Sequence, residues 1–359
     1  MLKTMITGSL PRPSWLAPAG QISSISLKLE GKSLSEGQDD AVRLAIADQH
    51  QAGLDIVTDG EQRRRHYIWG FTEALSGVDF GRMVKKTIRD GRYKTPVDVA
   101  RVTGPLKRTK SIFLPALEFL KQQTTCPVKV TLPGPMTTAD TLSDEYYNAP
   151  QALAEQLAEL LNEEAKELAE NGCDIIQFDE PCFNIYLKEV EDWGIAALEK
   201  AGDGIHAKTA VHICYGYGVP QVLPWKNANT EWHHYQHTLP LLNVSTIDII
   251  SVECAASPVD PSVLSLAGNK EIMVGVIDVG TEDIETGEQV AQRIREAVQY
   301  VDPSRLYPCT DCGMMPLPRE IARQKMQALT DGTRIVRTEL QRELVTGVPR
   351  VGNPNSKDS

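Results

Sequence analysis

The segment Thr209-Ala210-Val211-His212-Ile213-Cys214-Tyr215-Gly216 joins a short β-capable run to two side chains that bind soft metals. Side chains alternate between the faces of a strand, so His212 and Cys214 are predicted to point the same way. Imidazole nitrogen and thiolate sulfur are the ligand atoms that Zn²⁺ prefers. Because two ligands do not hold a catalytic zinc ion, the segment predicts further ligands elsewhere in the chain.

The same order of elements recurs along the chain: a short apolar run, a polar or glycine-containing cluster, and then an amphipathic helix. Alternating buried strands and helices are typical of a parallel sheet, and eight such units favour an α/β fold of the single (β/α)8 TIM barrel type over an open doubly wound sheet. The strand candidates are residues 4–6, 55–57, 128–130, 175–178, 209–214, 247–252, 272–277 and 306–309. The clearest helices are residues 38–52, 150–171 and 287–301.

One region departs from this pattern. Residues 80–110 are basic and β-like, including the run from Thr87 to Tyr93, and Asp90-Gly91 is typical of a hairpin turn. We predict an antiparallel β-hairpin inserted in a βα loop, with a ninth strand of the main sheet as the alternative. Residues 1–350 are predicted to form one barrel domain, followed by a disordered polar tail over residues 351–359.

Composition excludes several classes of function. The formal net charge of −11 disfavours a nucleic-acid-binding surface. We expect no signal peptide and no membrane span, because no apolar stretch is long enough. Seven cysteines, an odd number scattered over the chain, do not indicate a disulfide framework. The sequence therefore favours a cytoplasmic protein whose thiols are free or metal-bound.

A barrel places its active site at the carboxyl ends of its strands, and these ends are rich in ligands and carboxylates. A single glutamate after a strand, such as Glu253, is as typical of a solvated loop as it is of a metal ligand. Because His212 and Cys214 lie one strand earlier, the metal-ligand interpretation is favoured. Cys312 is the predicted loop ligand, with Cys309 in reserve, while Cys126, Cys173, Cys182 and Cys254 are predicted core thiols. The strand-end set is Ser9, Glu61, Asp179, His212, Cys214, Glu253, Asp278 and Cys312.

The predicted metal set suits one kind of chemistry. One imidazole with two thiolates selects Zn²⁺, and a sulfur-rich zinc site fits activation of a substrate thiol better than hydrolysis. Glu61 and Asp179 are predicted to lie at the same end of the barrel as the metal ligands, and two carboxylates there suit an ammonium group. Ser9 by itself would be interpreted as a cap or turn residue, but its position at the same end places it with these two carboxylates. An amino thiol such as homocysteine has both groups.

These motifs resemble the catalytic barrel of the cobalamin-independent methionine synthase family, in the family's order and over nearly the whole chain. The resemblance implies a zinc-dependent methyl transfer to homocysteine, with zinc on His212, Cys214, Glu253 and Cys312. It also implies that the amino acid moiety of homocysteine binds at Ser9, Glu61 and Asp179. The motifs are Gly8-Ser9-Leu10-Pro11, Asp59-Gly60-Glu61, Leu132-Pro133-Gly134-Pro135-Met136-Thr137, Phe178-Asp179-Glu180-Pro181, His212-Ile213-Cys214, Val252-Glu253 and Asp311-Cys312-Gly313.

Two departures from the family are visible. The classical enzyme has a second, N-terminal barrel that helps to bind a polyglutamated folate. The 359 residues of this chain instead resemble the short members of the family, which carry one barrel. The family's Asp-x-His, whose histidine is the presumed proton donor, corresponds to Asp278-Val279-Gly280, so Asp278 is the catalytic candidate and the acid is missing at Gly280. The methyl donor is then a methyltetrahydrofolate, a methyl-corrinoid protein or a methyl-carrying partner protein. The possible substitute acids are His66, His233, His234 and His237, although residues 231–235 are more typical of a solvated helix start.

Two alternatives remain open from the sequence. A zinc-dependent alkyl or epoxide transferase acting on coenzyme M would need cationic side chains for the sulfonate, and Arg63-Arg64-Arg65 could supply them. Glu61 and Asp179 favour an amine instead. A zinc-carrying accessory subunit without activity is the second alternative, and the full set of strand-end residues disfavours it.

Overall fold

The structure is a computed structural model that describes residues 1–18, 26–92, 95–216, 222–229 and 231–346. Six strands form a parallel sheet in the order β3-β5-β6-β7-β8-β9, and the other three form a separate sheet. The strands are β1 (Leu75–Lys86), β2 (Val97–Arg108), β3 (Lys129–Pro133), β4 (Ser143–Asp144), β5 (Ile175–Asp179), β6 (Lys208–Ile213), β7 (Ile249–Val252), β8 (Glu271–Ile277) and β9 (Leu306–Thr310).

Two extended segments close the six-stranded sheet into a ring. Residues 4–7 lie beside β9, and residues 55–57 lie between the first segment and β3. The closing bonds include Met5 N to Pro308 O (3.3 Å), Ile56 N to Thr4 O (3.1 Å) and Val57 N to Pro127 O (3.0 Å). All eight predicted strand positions are therefore filled, and the predicted (β/α)8 barrel is confirmed.

The barrel interior is apolar at one end and polar towards the other. An apolar cluster contains Met5, Ile56, Ile175, Ala210, Ile249, Met273, Tyr307 and Cys309. Next to it the buried Lys129 donates from Nζ to the carbonyls of Ile6 and Thr7, both at 2.8 Å, and to the side chain of Gln177. Lys129 thus ties the first closing segment to β3 and β5. Cys309, the reserve ligand, lies among apolar side chains.

The helices cover the outside of the barrel. The three helices predicted from the sequence are present, but two of their ends differ. The helix predicted to begin at residue 38 begins earlier. The helix predicted to end at residue 301 ends at Ala297, because the chain continues there in tighter turns in which Tyr300 N donates to Ala297 O. The helices are α1 (Gly31–Ala52), α2 (Trp69–Thr72), α3 (Leu114–Gln123), α4 (Pro135–Asp140), α5 (Pro150–Glu170), α6 (Leu187–Glu189), α7 (Ile195–Gly202), α8 (Leu223–Ala228), α9 (His234–Asn243), α10 (Gly287–Ala297) and α11 (Arg319–Thr346).

The predicted hairpin is present, and it belongs to a sheet of its own. Strands β1 and β2 pair antiparallel, and β4 adds to β2 in parallel, so the alternative of a ninth barrel strand is wrong. The hairpin begins at Leu75, earlier than predicted. The turn predicted at Asp90-Gly91 lies between the two strands, where residues 89–91 form a 3₁₀ turn. Tyr93 lies outside the described residues.

Arg89 and Asp90 at this turn have φ angles of 53° and 50°, a left-handed conformation that is costly for residues with a side chain. Tertiary contacts hold it: Arg89 forms a buried ion pair with Asp140, and the Asp90 amide donates to the Tyr186 hydroxyl at 2.9 Å. The hairpin turn is therefore docked against the barrel.

The domain limits of 1–350 and the disordered tail stay predictions. Residues 347–359 lie outside the described residues. Among the described helices, none combines the length and the apolar character that a membrane crossing needs.

Candidate metal and substrate site

Three predicted ligands meet at the carboxyl end of the barrel. The ligand atoms of His212, Cys214 and Cys312 all lie within 4.8 Å of one another, and all three residues are buried. The Sγ atoms of Cys214 and Cys312 are 3.8 Å apart. Strand β6 carries His212 and ends one residue before Cys214, and Cys312 follows β9, so the i and i+2 spacing gives the shared orientation that the sequence predicts.

The His212 ring is oriented by a neighbouring strand. Its Nδ1 shares a hydrogen bond of 2.9 Å with Ser251 Oγ, and Ser251 lies in register with His212 on β7. Its Nε2 is buried and has no hydrogen-bond partner among the described residues. A buried polar atom without a partner is costly, so this nitrogen is suited to a metal or substrate group.

The two thiols are electrostatically distinct. The Cys312 thiol donates a hydrogen bond to Cys214, which holds the pKa of Cys214 well below its ordinary value and raises the pKa of Cys312 well above its own. Burial lowers the pKa of the His212 ring, but the charge and hydrogen bond of Cys214 and the charge of Asp179 together outweigh burial, so the pKa is raised. The two directions mean that Cys214 gives up its proton more readily than Cys312 does.

Glu253, the fourth predicted ligand, is bonded elsewhere. It is fully buried, and its Oε1 accepts from Lys226 Nζ and from Ser257 Oγ, each at 2.5 Å. Its Oε2 accepts from the Tyr215 amide at 2.9 Å. Its carboxylate is not one of the group formed by His212, Cys214 and Cys312. Its role as a ligand stays a prediction.

The predicted substrate residues share a cavity with the three ligands. Its volume is about 440 Å³, and its lining includes Ser9, Glu61 and Asp179 together with His212, Cys214 and Cys312. Asp179 is in register with His212 on the neighbouring strand, which puts the carboxylate next to the metal-ligand group. The hydroxyl oxygen of Ser9 is buried and has no hydrogen-bond partner among the described residues.

Glu61 is positioned by hydrogen bonds within its own turn and to β3, and the backbone at Gly8 passes close to its carboxylate. Its φ angle is 57°, its amide donates to Asp59 Oδ1 at 2.9 Å, and its Oε1 accepts from Thr131 Oγ1 at 2.8 Å. A Cβ at Gly8 would lie 2.9 Å from Glu61 Oε1 and from Thr131 Cγ2. Glycine at position 8 therefore lets the first strand pass close to the carboxylate.

Asp179 has a raised pKa of about 6. Burial is the main cause; the His212 ring lowers the value, and the negative charge of Glu61 raises it. Gln177 donates to its Oδ1 at 2.7 Å. A cationic group placed between Glu61 and Asp179 would favour the ionised form of both carboxylates.

Asp278, the predicted catalytic residue, is not among the residues that line the cavity. Its Oδ1 accepts from the Gly280 amide at 2.7 Å, so it stabilises the turn after β8. Its catalytic role stays a prediction.

The four candidate acids differ in their surroundings, and none of them lines the cavity. Burial lowers the pKa of His66 to about 3 and that of His234 to about 4. The expectation of a solvated helix start over residues 231–235 is wrong at Tyr235, which is fully buried in the apolar core and donates from its hydroxyl to Ile213 O at 2.9 Å.

The arginine run also lies outside the cavity. Arg63 forms an ion pair with Asp39, and Arg64 lies over the Phe113 ring with its guanidinium carbon 4.4 Å from the ring centre. No arginine or lysine is among the described residues that line the cavity.

The sequence interpretation overlooked Asp311. It is buried, and its carboxylate accepts from the amides of Cys254 (3.1 Å), Ala255 (3.0 Å) and Ala256 (2.5 Å). Burial and the charge of Glu253 raise its pKa to about 8. A Cβ at Gly275 would lie 2.1 Å from Asp311 Oδ1. Asp311 therefore shapes the loop after Glu253; its position beside Cys312 was the available signal.

Tyr67 and Arg89 were also overlooked. Tyr67 lines the cavity, and Arg89 at the hairpin turn donates to its hydroxyl at 2.9 Å. No local pattern connects these residues, since their contact depends on how the hairpin docks.

Fold and site together define a class: barrel transferases that act on a thiol-bearing substrate. The profile described as "Cobalamin-independent synthase, Catalytic domain" matches residues 2–334. The methionine synthase of Sulfurisphaera tokodaii is 34% identical over 343 residues, which is 95% of this chain and 94% of that protein. The methionine synthase of Sulfolobus acidocaldarius is 33% identical over 344 residues, covering 96% and 94% of the two chains.

Comparison with a solved structure leads to the same family. A B12-independent methionine synthase from Shewanella sp. W3-18-1, in complex with selenomethionine, superposes with a TM-score of 0.92 at 49% identity, covering 95% of this chain and 99% of that one. The chain therefore belongs to the cobalamin-independent methionine synthase family. It is an enzyme that methylates homocysteine.

Proposed function

We propose that His212, Cys214 and Cys312 hold a zinc ion at which the thiol of homocysteine is activated for methylation. The observation that carries this proposal is the buried, unpartnered Nε2 of His212 within 4.8 Å of the two sulfur atoms. One nitrogen and two sulfurs form a donor set that zinc accepts, with a further position for an exchangeable ligand. When bound, zinc would supply the positive charge that keeps a thiol deprotonated at neutral pH.

The protein's own residues would orient the reactants. Ser251 fixes the His212 ring by its bond to Nδ1, leaving Nε2 directed at the sulfurs. Cys214 and Cys312 lie one and two residues beyond the ends of β6 and β9, so the position of these two barrel strands sets their separation. Burial of the group limits access of water, which would otherwise compete with the thiol for the open position at the metal.

The amino acid moiety of homocysteine would bind beside this group. Glu61 and Asp179 present two carboxylates to its ammonium group, and the Ser9 hydroxyl can donate to its carboxylate. Support comes from their place in one cavity with the three ligands. No arginine or lysine is among the described lining residues, and Arg64 Nη1, 3.9 Å from Glu61 Oε1, already faces a carboxylate; both observations favour homocysteine over the sulfonate of coenzyme M.

The methyl donor would be a methyltetrahydrofolate or a methyl-carrying partner protein. Asp278, at the carboxyl end of β8, is the proposed catalytic residue on the donor side. Its Asp-Val-Gly sequence leaves no acid at Gly280, so a donor with a poor leaving group would have to bring its own proton source. We also place the enzyme in the cytoplasm, where its cysteines would stay reduced.

Proton release on thiol addition tests the proposal. Homocysteine added to zinc-loaded protein should release about one proton per site, and coenzyme M should release none at equal concentration. Release with coenzyme M alone would contradict the assignment of the substrate, and release with neither would contradict the role of zinc.

A further inference from the structure

The buried ion pair between Lys226 and Glu253 lies directly beside the proposed metal site. Lys226 Nζ is 2.5 Å from Glu253 Oε1, and the two side chains are 9% and 0% exposed. The Tyr215 amide, which follows Cys214 in the chain, donates to Glu253 Oε2 at 2.9 Å. One carboxylate oxygen therefore faces lysine, and the other lies one peptide unit from a proposed ligand.

The helix that carries Lys226 is packed against the chain close to Cys214. It lies on the short helix α8, next to Trp225, whose ring stacks on Tyr215 at a centroid distance of 6.3 Å. The Arg92 guanidinium covers the Trp225 ring at 4.0 Å. The helix that carries Lys226 is thus packed, through Trp225, against the residue that follows Cys214.

Glu253 can change partners only through its side chain. Its backbone amide donates to the Tyr235 hydroxyl at 3.0 Å, and that hydroxyl donates to Ile213 O at 2.9 Å. A fully buried carboxylate needs a cation or several donors, because an unpaired buried charge is strongly destabilising. Two places near it can supply a cation: Lys226 and the proposed metal site.

We propose that Lys226 is a positioning residue that competes with the bound metal for the Glu253 carboxylate. This inference rests on the proposed zinc site. With Lys226 as an alternative partner, the Glu253 carboxylate would be able to leave the position that the substrate thiolate takes. The thiol proton would pass to solvent, and the carboxylate would keep a cationic partner on Lys226.

The competition predicts that removing the Lys226 ammonium group increases zinc affinity. In Lys226→Met the carboxylate loses its cationic partner, and only the neutral donors Ser257 and the Tyr215 amide would compete with the metal for it. Zinc affinity without thiol should rise about tenfold or more, the scale on which groups around a metal site alter its affinity. Homocysteine should then bind more weakly, because the position it needs stays occupied.

The experiment compares four zinc-loaded proteins: wild type, Lys226→Met, Lys226→Arg, and the double variant Lys226→Met/Glu253→Gln. Zinc affinity is measured by competition with a chromophoric chelator, and thiol binding by proton release, with zinc X-ray absorption counting oxygen and sulfur neighbours. We expect tighter zinc and an added oxygen neighbour in Lys226→Met, near wild-type behaviour in Lys226→Arg, and loss of the gain in the double variant.

Other outcomes separate the two proposals. Unchanged or weaker zinc binding in a folded Lys226→Met, or a gain that survives in the double variant, would overturn the role of Lys226 while leaving the zinc site intact. If wild-type protein binds zinc no better than a Cys214→Ser variant does, the proposed zinc site fails and the role of Lys226 fails with it. Circular dichroism spectra of all variants confirm that each comparison is made between folded proteins.

Discussion

Cys214 and Cys312 are 98 positions apart in the chain, and their sulfur atoms lie 3.8 Å from each other at the mouth of the barrel. They follow β6 and β9, which are not adjacent in the sheet. Their approach across the barrel is what a shared metal ion requires, and it gives the first prediction.

Replacing Cys312 by serine should release zinc without unfolding the barrel. A hydroxyl is a poor zinc ligand at neutral pH, so we expect a loss of zinc affinity of about a hundredfold and no detectable methyl transfer. Zinc content after dialysis, measured by atomic absorption, gives the result.

Cys126→Ser is the matched control, because Cys126 is partly buried and outside the proposed site. It should keep its zinc. Full zinc content in Cys312→Ser would remove Cys312 from the ligand set.

The raised pKa of Asp179 predicts a pH-dependent affinity for the amino acid moiety. Its pKa in the fold is about 6, above the ordinary 3.8, so the carboxylate is mostly protonated below pH 6 and ionised above it. Methionine, the methylated product, should bind more tightly as pH rises through 6, by up to about tenfold per pH unit below that value. Calorimetric titrations between pH 5 and 8 measure this.

Two controls isolate the carboxylate. Asp179→Asn should bind methionine weakly and lose the step near pH 6. The deaminated analogue 4-(methylthio)butanoate has no ammonium group and should show no such increase. An equal step with that analogue would place the titrating group elsewhere.

Gly275→Ala should destabilise the barrel and disturb the loop after Glu253. The new methyl group would lie 2.1 Å from Asp311 Oδ1 and 2.9 Å from Asp311 Cα, so the side chain that binds three loop amides has to move. We expect a loss of about 1–3 kcal/mol in the free energy of unfolding, typical of overpacking. Chemical denaturation followed by circular dichroism measures it.

Gly104→Ala on β2 serves as the comparison, since a Cβ there meets no atom within 4 Å. Its free energy of unfolding should stay within about 0.5 kcal/mol of wild type. Similar values for both variants would mean that the contact at Gly275 relaxes without cost.

Arg89→Met should impair homocysteine binding through Tyr67. The arginine donates to the Tyr67 hydroxyl and pairs with the buried Asp140, so its loss leaves a carboxylate without its cation and a cavity side chain without its support. We expect a rise in the KM for homocysteine with a smaller change in kcat, and a destabilisation of about 3 kcal/mol. Tyr67→Phe should raise KM in the same direction.

Arg82→Met tests the surface of the same hairpin. Arg82 pairs with Asp79 in an exposed contact, which contributes at most about 1 kcal/mol. Its kinetics should match wild type, and equal KM values in Arg82→Met and Arg89→Met would argue against positioning of Tyr67.

Local patterns were sufficient to predict the barrel. Short apolar runs ending in polar clusters identify its strands, including residues 4–7 and 55–57, whose bonding is too irregular for a regular strand. The i and i+2 spacing of His212 and Cys214 predicts a shared direction because alternation along a strand is a local property.

Contacts between distant segments could not be predicted in this way. Lys226 lies on a helix of six residues, too short to show a period, so nothing local pairs it with Glu253. Asp90-Gly91 predicts an ordinary hairpin turn, but the ion pair of Arg89 with Asp140, 51 positions away, decides the actual conformation. In both cases a buried charge selects the local structure, and its partner is known only once the chain is folded.

The docked hairpin turn has a consequence for how such enzymes diversify. The residues proposed to hold metal and amino acid come from the barrel, whereas Arg89, which donates to the cavity residue Tyr67, comes from an insertion with its own sheet. Natural variation in the length or sequence of this insertion can therefore remodel the entrance while the catalytic framework is inherited unchanged.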